Sequence, residues 1–330
     1  MILVTGGAGY IGSHTVKMLL EQGYEVVVFD NLELGHREAV LGGELVQGDL
    51  LDPESINEAL DRFKIDAVIH FAAFASVGDS VANPNKYFRN NITGGLNLVE
   101  AMRTHDVNKI IFSSSAATYG EPHHVPIEED HPQHPTNPYG ETKLMFEKIL
   151  KWYDVAYGTK SVSLRYFNAS GADPEARIGE DHRPEEHLIP LVLQTALGKR
   201  PSIKIFGTDW DTPDGTCIRD YIHVVDLAEA HLLALKALLN GAETTAYNLG
   251  NGDGQSVRQV IDAAAEVVGR PIPWEAAERR PGDPERLVAS SEKLKSELGW
   301  QPKYPELRTI IEHAWRWHSE HPNGFEGAGE

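Results

Sequence analysis

The apolar run Ile2-Leu3-Val4-Thr5 passes directly into Gly6-Gly7-Ala8-Gly9-Tyr10-Ile11-Gly12. Glycines at positions 6, 9 and 12 let a chain leave a strand, turn tightly and open a helix whose first N–H groups face an anion. Further short apolar runs at 26–29, 45–46, 67–71 and 110–112 alternate with helix-like segments. That rhythm predicts parallel strands buried on both faces by crossover helices. Asp52 followed by Pro53 predicts a helix start, and Gly23 predicts the end of the preceding helix.

The fold class implied is α/β, a Rossmann-type doubly wound parallel sheet. Its second strand ends at Asp30, the distance at which such folds place an acid on the adenosine ribose hydroxyls. A carboxylate there repels a 2'-phosphate, so NAD is favoured over NADP. Asp49, expected to close the third strand after Gly48, reads either as an adenine contact or as the edge of a turn.

A chain of 330 residues, 41% hydrophobic and 24% charged, is long enough for two lobes. After about residue 170 Gly and Pro cluster at 171–184, 207–215 and 250–254. Residues 1–170 are therefore expected to bind the dinucleotide and 171–330 to form a smaller α/β substrate lobe, with some segments returning to the main sheet. The closing 322–330 stretch is polar and is expected to fray. The formal charge of -19 repels polyanions, which argues against nucleic acid as a partner. An anionic small ligand remains compatible through local arginines, with Arg219, Arg279, Arg280 and Arg286 as candidates. Cys217 is the single cysteine, and Met1 leads straight into the first strand without a signal-like segment. Both features fit a reducing, cytoplasmic setting, with no membrane association.

Tyr139-Gly140-Glu141-Thr142-Lys143 sets a tyrosine and a lysine one helical turn apart on one face, after Pro138 as the helix start. Lowering a tyrosine pKa by three units takes about 4 kcal/mol. An ammonium about 5 Å away supplies roughly 3 kcal/mol at an effective dielectric near 20. Ser113-Ser114-Ser115 ends the fifth strand at the carboxyl edge of the sheet, where ligands of open α/β folds bind. Ser115 can hydrogen-bond a substrate oxygen beside the tyrosine.

These motifs together resemble the extended short-chain dehydrogenase/reductase family. Within it, Phe71-Ala72-Ala73, Arg165-Tyr166-Phe167-Asn168, Arg219-Asp220-Tyr221-Ile222-His223-Val224 and Tyr247-Asn248-Leu249-Gly250 look like UDP-glucose 4-epimerases. The resemblance runs over almost the whole chain. It implies a homodimer built from helices at 85–105 and 138–157, and the interconversion of UDP-galactose and UDP-glucose through a 4-keto sugar with tightly bound NAD. Tyr139 is then the base, Lys143 its electrostatic partner and ribose anchor, and Ser115 the positioning hydroxyl. The implied cofactor groove comprises Gly6, Gly9, Tyr10, Ile11, Gly12, Asp30, Asn31, Asp49, Leu50, Phe71, Ala72, Ala73, Asn90, Ser113, Tyr139, Lys143 and Phe167. The implied substrate contacts are Ser115, Tyr139, Asn168, His187, Leu188, Lys204, Ile205, Phe206, Arg219, Arg280, Asp283 and Leu287.

Two departures from the family pattern stand out. A lysine that often follows Phe-Ala-x is absent, since Phe74 and Ala75 occupy that stretch. Leu287, reached without a gap from Gly282-Asp283, stands where some epimerases carry a bulky tyrosine, which implies a side activity on UDP-N-acetylhexosamines. No metal is implied, and the histidines at 123, 124, 131 and 134 read as a solvated loop. Two rival readings are a nucleotide-sugar 4,6-dehydratase and a non-catalytic NAD-sensing regulator. The first usually has an acid soon after the serine run, where this chain has Ala116-Ala117-Thr118. The second usually lacks the tyrosine or the lysine.

Overall fold

The computed structural model describes residues 1–280 and 283–325. In the first half, β1 (Ile2–Thr5), α1 (Tyr10–Glu21), β2 (Val26–Asp30), β3 (Glu44–Gln47), α2 (Pro53–Arg62) and β4 (Ala67–His70) alternate along the chain. The short helices α3 (Val77–Ala82) and α4 (Pro84–Tyr87) and a π-helical turn, Phe88–Thr93, lead into α5 (Gly94–Thr104) and β5 (Lys109–Ser113). The long helix α6 (Pro138–Tyr157) then crosses to β6 (Lys160–Tyr166). The expected helix signals hold: the Asp52 carboxylate accepts the Glu54 N–H at 3.1 Å with Pro53 at the first helical position. Gly23, at φ +80°, follows the last turn of α1.

The second half is more broken. It comprises β7 (Asn168–Ser170), α7 (Leu188–Ala196), β8 (Ile203–Phe206), β9 (Ile218–Arg219), β10 (Tyr221–His223), α8 (Val224–Leu239) and β11 (Thr245–Leu249). After them come β12 (Gln255–Ser256), α9 (Val257–Val268), β13 (Trp274–Ala277), β14 (Arg286–Leu287), α10 (Glu292–Leu298) and α11 (Leu307–Glu320).

Seven strands form one parallel sheet in the order β11-β6-β5-β4-β1-β2-β3. The chain winds outward from β1 to β3 and then restarts at β4, so the strand order reverses between β1 and β4. Loops leaving those strands diverge there and open a crevice. Strand alternation divides the core in two. Val4, Val28 and Ile69 pack with Leu19 of α1 and Leu235 of α8, while Leu3, Val27 and Val68 pack with Ile56, Leu98 and Phe146 on the other face. Phe146 joins α6 to the sheet, its ring 4.8 Å from that of Phe112 and 5.4 Å from that of His70. Truncating it to alanine should cost about 3–5 kcal/mol and loosen α6.

β11 and α8 come from the second half yet belong to this sheet and its core. The rest of that half has its own core, in which Leu193, Ile205, Tyr221, Val260 and Ile311 join α7, α9 and α11 to the β8–β13 pair. β9 lies between β12 and β14, and β7 pairs with β10.

Candidate active site

The glycine turn works by close approach. Gly6 has φ +72°, and a Cβ on it would lie 2.5 Å from the Ala72 nitrogen. A Cβ on Gly12 would lie 2.1 Å from the Gly6 carbonyl oxygen. Gly9 caps α1 without a side-chain hydrogen bond, so the first N–H groups of the helix point out unsatisfied toward the crevice. A pyrophosphate fits this cradle, because backbone donors and the helix dipole converge where no side chain intrudes.

Asp30 ends β2 and is buried. Its two oxygens accept the N–H groups of Ala8 and Leu32, each at 2.9 Å. Burial raises its pKa from the ordinary value, and those two hydrogen bonds pull the other way. The carboxylate therefore braces the glycine turn as well as standing where a ribose acceptor belongs, a second role absent from the sequence reading. Asn31 donates to Asp49 at 3.2 Å, and Asp49 accepts the Leu51 N–H at 2.8 Å. Asp49 thus lies beyond the end of β3 rather than closing it. Leu50 is buried beneath Gly94. Phe71 and Ala72 both donate backbone N–H groups to the Thr5 carbonyl, which draws the end of β4 against Gly6. Ala73, Asn90 and Phe167 are half-buried. Ala75 is exposed, and nearby Lys86 lies 4.0 Å over the Phe74 ring and 3.0 Å from Asp79.

Asn137 caps α6 by accepting the Gly140 N–H at 2.9 Å, with Pro138 at the first helical position. Tyr139 and Lys143 follow on one buried face. The helix start comes close to the serine run because Gly140 has no side chain: a Cβ there would lie 2.4 Å from the Ala117 carbonyl. Ser115 consequently comes close enough to Tyr139 for its hydroxyl to pull the tyrosine pKa down. Lys143 donates to the Ser113 carbonyl at 2.7 Å, and the Ser113 hydroxyl shares a 2.5 Å hydrogen bond with the Tyr166 hydroxyl.

The electrostatics correct the sequence arithmetic. Burial holds the Tyr139 hydroxyl above its ordinary pKa, with the Ser115 hydroxyl pulling the other way. Burial also pushes Lys143 down to about 7, with Glu147 opposing. A pairwise Coulomb estimate omits this desolvation, which penalises both members of a tyrosinate–ammonium pair.

A buried polar network behind this face escaped the sequence reading. Arg165 grips Glu147 through Nε at 3.0 and 3.2 Å and a terminal nitrogen at 2.6 Å. Arg165 also donates to the Tyr119 hydroxyl at 2.8 Å, which donates to Asn248 at 2.6 Å. Ser114 donates to Glu147 at 2.5 Å. The available signal was an arginine between Leu164 and Tyr166 of β6 and a glutamate one turn after Lys143. Removing one member of such a buried pair costs about 3–5 kcal/mol.

The substrate-side residues gather from β7, β8, β9 and β14, from the segment between β13 and β14, and from the start of α7. Arg280 lies 4.7 Å over the Phe206 ring and pairs with Asp283 at 3.0 Å, and Arg219 is 3.8 Å from the same carboxylate. β14 pairs with β9, which sets Leu287 beside Arg219. Asn168 donates its side-chain amide to the Asp220 carbonyl at 2.8 Å. Lys204 is exposed, but the Ile205 side chain is buried in the lobe core, so only its backbone can meet a ligand. His187 is exposed, its ring 2.7 Å from Glu180 and 3.1 Å from Glu185, and Leu188 opens α7. Arg279 is exposed, pairs with Asp209 at 2.7 Å and lies 4.0 Å over the Trp210 ring. Arg286 is 3.3 Å from Glu285. His131 departs from the solvated-loop expectation, being buried and accepting the His123 N–H at 3.0 Å. Gly282 and residues 326–330 lie outside the described residues.

Among the described residues, no helix is long and apolar enough to cross a membrane. Residues 2–250 match the model of the NAD dependent epimerase/dehydratase family. A UDP-glucose 4-epimerase of Halalkalibacterium halodurans is 57% identical, over 98% of this chain and 97% of the relative. A crystal structure of a UDP-glucose 4-epimerase superimposes with a TM-score of 0.97 at 55% identity, covering 98% of this chain and 99% of the other. The Brucella ovis UDP-glucose 4-epimerase in complex with NAD superimposes with a TM-score of 0.94 at 49% identity, covering 96% and 97%. Glycine cradle, sheet order, tyrosine–lysine face and these likenesses lead to one assignment: the chain belongs to the NAD dependent epimerase/dehydratase family.

Proposed function

We propose that this chain is an NAD-dependent UDP-glucose 4-epimerase, an isomerase that interconverts UDP-galactose and UDP-glucose. The observation that carries the reading is the Ser115–Tyr139–Lys143 group at the carboxyl edge of a sheet whose glycine cradle fits a dinucleotide. Gly6, Gly9, Tyr10, Ile11 and Gly12 would hold the pyrophosphate, Asp30 the adenosine ribose, and Lys143 the nicotinamide ribose. Asn31, Asp49, Leu50, Phe71, Ala72, Ala73, Asn90, Ser113 and Phe167 would complete that groove. Held there, NAD would supply the hydride chemistry at the sugar C4 that inverts the centre.

The protein's part is proton transfer and orientation. Tyr139 takes the 4-hydroxyl proton as general base and later returns it, while Ser115 holds the reacting oxygen. Burial holds Tyr139 above its ordinary pKa, so a positive charge beside it, that of Lys143 in its protonated form, would favour its role as base. The 4-keto sugar must then turn about its diphosphate linkage. The nucleotide end therefore needs a fixed grip and the hexose a loose one. Residues past 170 supply the grip: Arg219 and Arg280, with Asp283 between them, offer charge-assisted donors to the diphosphate. Asn168, His187, Leu188, Lys204, the Ile205 backbone and Phe206 would complete the site, and Leu287 would border the hexose. The side activity on UDP-N-acetylhexosamines rests on Leu287. A 4,6-dehydratase fits less well, because Ala116-Ala117-Thr118 follow the serine run.

A homodimer through α5 and α6 accounts for Met145, Trp152, Val155 and Tyr157, which leave apolar surface exposed along α6. A reducing, cytoplasmic setting agrees with a lone, buried Cys217. The deciding assay mixes purified protein with UDP-galactose and follows the products. UDP-glucose should accumulate to equilibrium with no net reduction of added NAD. A 4-keto-6-deoxy product, or no turnover by folded, NAD-loaded protein, would overturn the reading.

A further inference from the structure

The loop between β7 and α7 brings Glu180, His182, Glu185 and His187 together. One ligand atom from each lies within 4.8 Å of all the others. The loop is held from several sides: Trp317 donates its indole N–H to the Glu180 carbonyl at 3.2 Å, and the Phe325 N–H donates to Asp181 at 3.0 Å. Gly179 has no room for a side chain, since a Cβ there would lie 2.3 Å from the Trp317 ring. The Glu180 and Glu185 side chains are only 4% and 5% exposed.

We propose that Glu180, His182, Glu185 and His187 form a binding site for one divalent transition-metal ion of the zinc type. Two imidazoles and two carboxylates are a common donor set for such an ion. Bonds of about 2.0–2.1 Å in a tetrahedron place ligand atoms about 3.3 Å apart. Here Glu180 lies 2.7 Å from His187 and 3.2 Å from His182, and the second Glu185 oxygen lies 3.8 Å from His182, values that bracket that separation. With both imidazoles deprotonated as ligands the group carries a charge of two minus, which a divalent ion would cancel beside two buried carboxylates.

A second observation points the same way. Nδ1 of His182 is buried and makes no well-directed hydrogen bond, although Glu180 lies 3.2 Å away. The same atom lies 3.8 Å from Glu185, so it faces both carboxylates of the cluster. Outer contacts also orient the ligands: one Glu185 oxygen accepts the Glu186 and His187 N–H groups, both at 2.8 Å, which leaves the other facing His182. The Tyr10 ring of the glycine turn stands edge-on to His182 at 6.2 Å. A bound ion would therefore fix the start of α7 against the cofactor cradle. The sequence reading anticipates no metal, and its histidine-rich stretch around His123 is not this cluster.

The test uses full-length protein stripped with a chelator and titrated with cobalt(II), followed by zinc(II). One cobalt per chain should bind, giving the intense visible absorption of a four-coordinate site, and zinc should displace it. His182→Ala and Glu180→Gln should each weaken cobalt binding at least tenfold, with circular dichroism verifying that both remain folded. His123→Ala/His124→Ala should bind as the parent does. Zinc should raise the melting temperature of the parent but not of His182→Ala. The proposal is overturned if no four-coordinate absorption appears in the parent, if the absorption survives in both cluster variants, or if it is lost with His123 and His124. The four side chains would then be a closed set of ion pairs only.

Discussion

The Lys143 ammonium lies 2.7 Å from the Ser113 carbonyl oxygen and 5.7 Å from the centre of the Tyr139 ring. One lysine thus ties the edge of β5 to the face that carries the proposed base. It does so at a cost, because burial pushes its pKa down to about 7.

Activity and stability should therefore separate at this position. Lys143→Met removes a disfavoured buried charge and fills similar space, so thermal stability near neutral pH should hold or rise. Turnover should fall by about a hundredfold or more, since general-base assistance is worth about 10²–10⁴. Tyr139→Phe should lose a similar factor while still retaining NAD. Parallel measurements of kcat and Tm check the split, and turnover of Tyr139→Phe within tenfold of the parent would remove Tyr139 as the base.

Cofactor retention should depend on glycine geometry more than on any one charged contact. An enzyme that reduces and reoxidises the same dinucleotide gains nothing by releasing it, so heat-denatured protein should yield NAD that was never added. Gly12→Ala sets a Cβ 2.1 Å from the Gly6 carbonyl oxygen, a backbone clash that only movement of the turn can relieve. Its NAD content should fall at least tenfold in a protein that stays folded. Full NAD content in Gly12→Ala would show that the turn tolerates a displacement that its contacts oppose. Parent protein that carries no NAD and works only on added cofactor would point to the stretch at Phe74 and Ala75.

Acid should destabilise the protein before most of its carboxylates titrate. Burial pushes His14 and His231 down to about 4 and His70 to about 3. Each folded-state value lies below the unfolded one, so each contributes stability above about pH 6.5 and loses it as pH falls toward the folded value. At pH 5 each histidine forfeits about 2 kcal/mol, at about 1.4 kcal/mol per unit. Asp226, raised to about 6 by burial, works in the opposite direction and returns roughly 1 kcal/mol. These four groups together lose about 5 kcal/mol between pH 7 and pH 5, a large share of a typical 5–15 kcal/mol. Urea unfolding at the two pH values measures it. His231→Leu, which also removes a buried Nε2 lacking a partner, should move the acid midpoint downward. Equal stability at pH 7 and pH 5 would contradict this account.

What could be read from the sequence was local. The β1 run, the glycine spacing, Asp30 and the Tyr139–Lys143 turn are each set by periodicity or by a few neighbouring residues, and each sits at the crevice. What could not be read joins distant residues: Arg165 meets Glu147 across 18 positions, and Tyr119 meets Asn248 across 129. Asp30 was recognised for a ligand, but its backbone partners Ala8 and Leu32 depend on how the turn closes. The inward side of Ile205 was within reach, since Ile203 and Ile205 alternate with exposed Lys204. The ionisation of Tyr139 was not, because spacing gives a distance to Lys143 and says nothing of how much water both groups lose.

Leu287 carries the prediction about specificity. Its strand pairs with β9 in register with Arg219, and its carbonyl accepts the Asp220 N–H at 3.0 Å, so the backbone there is fixed. The side chain is only partly buried and stands beside an arginine proposed to hold the diphosphate. A tyrosine at this point would raise a wall toward the sugar's 2-substituent, whereas leucine leaves depth and an apolar surface for an acetamido methyl. Pocket contacts of one or two methylene equivalents change discrimination by about 1–3 kcal/mol, or roughly 10- to 200-fold. That is enough to admit a second substrate and too little to make it preferred. The protein should epimerise UDP-N-acetylglucosamine measurably but with a lower kcat/KM than UDP-glucose. Leu287→Tyr should reduce kcat/KM for the acetylated sugar at least tenfold while changing that for UDP-glucose less than threefold, because a hydroxyl on C2 fits against either wall. Parent enzyme that is fast on UDP-galactose yet inert toward UDP-N-acetylglucosamine would show that other residues close the pocket and that Leu287 serves packing alone.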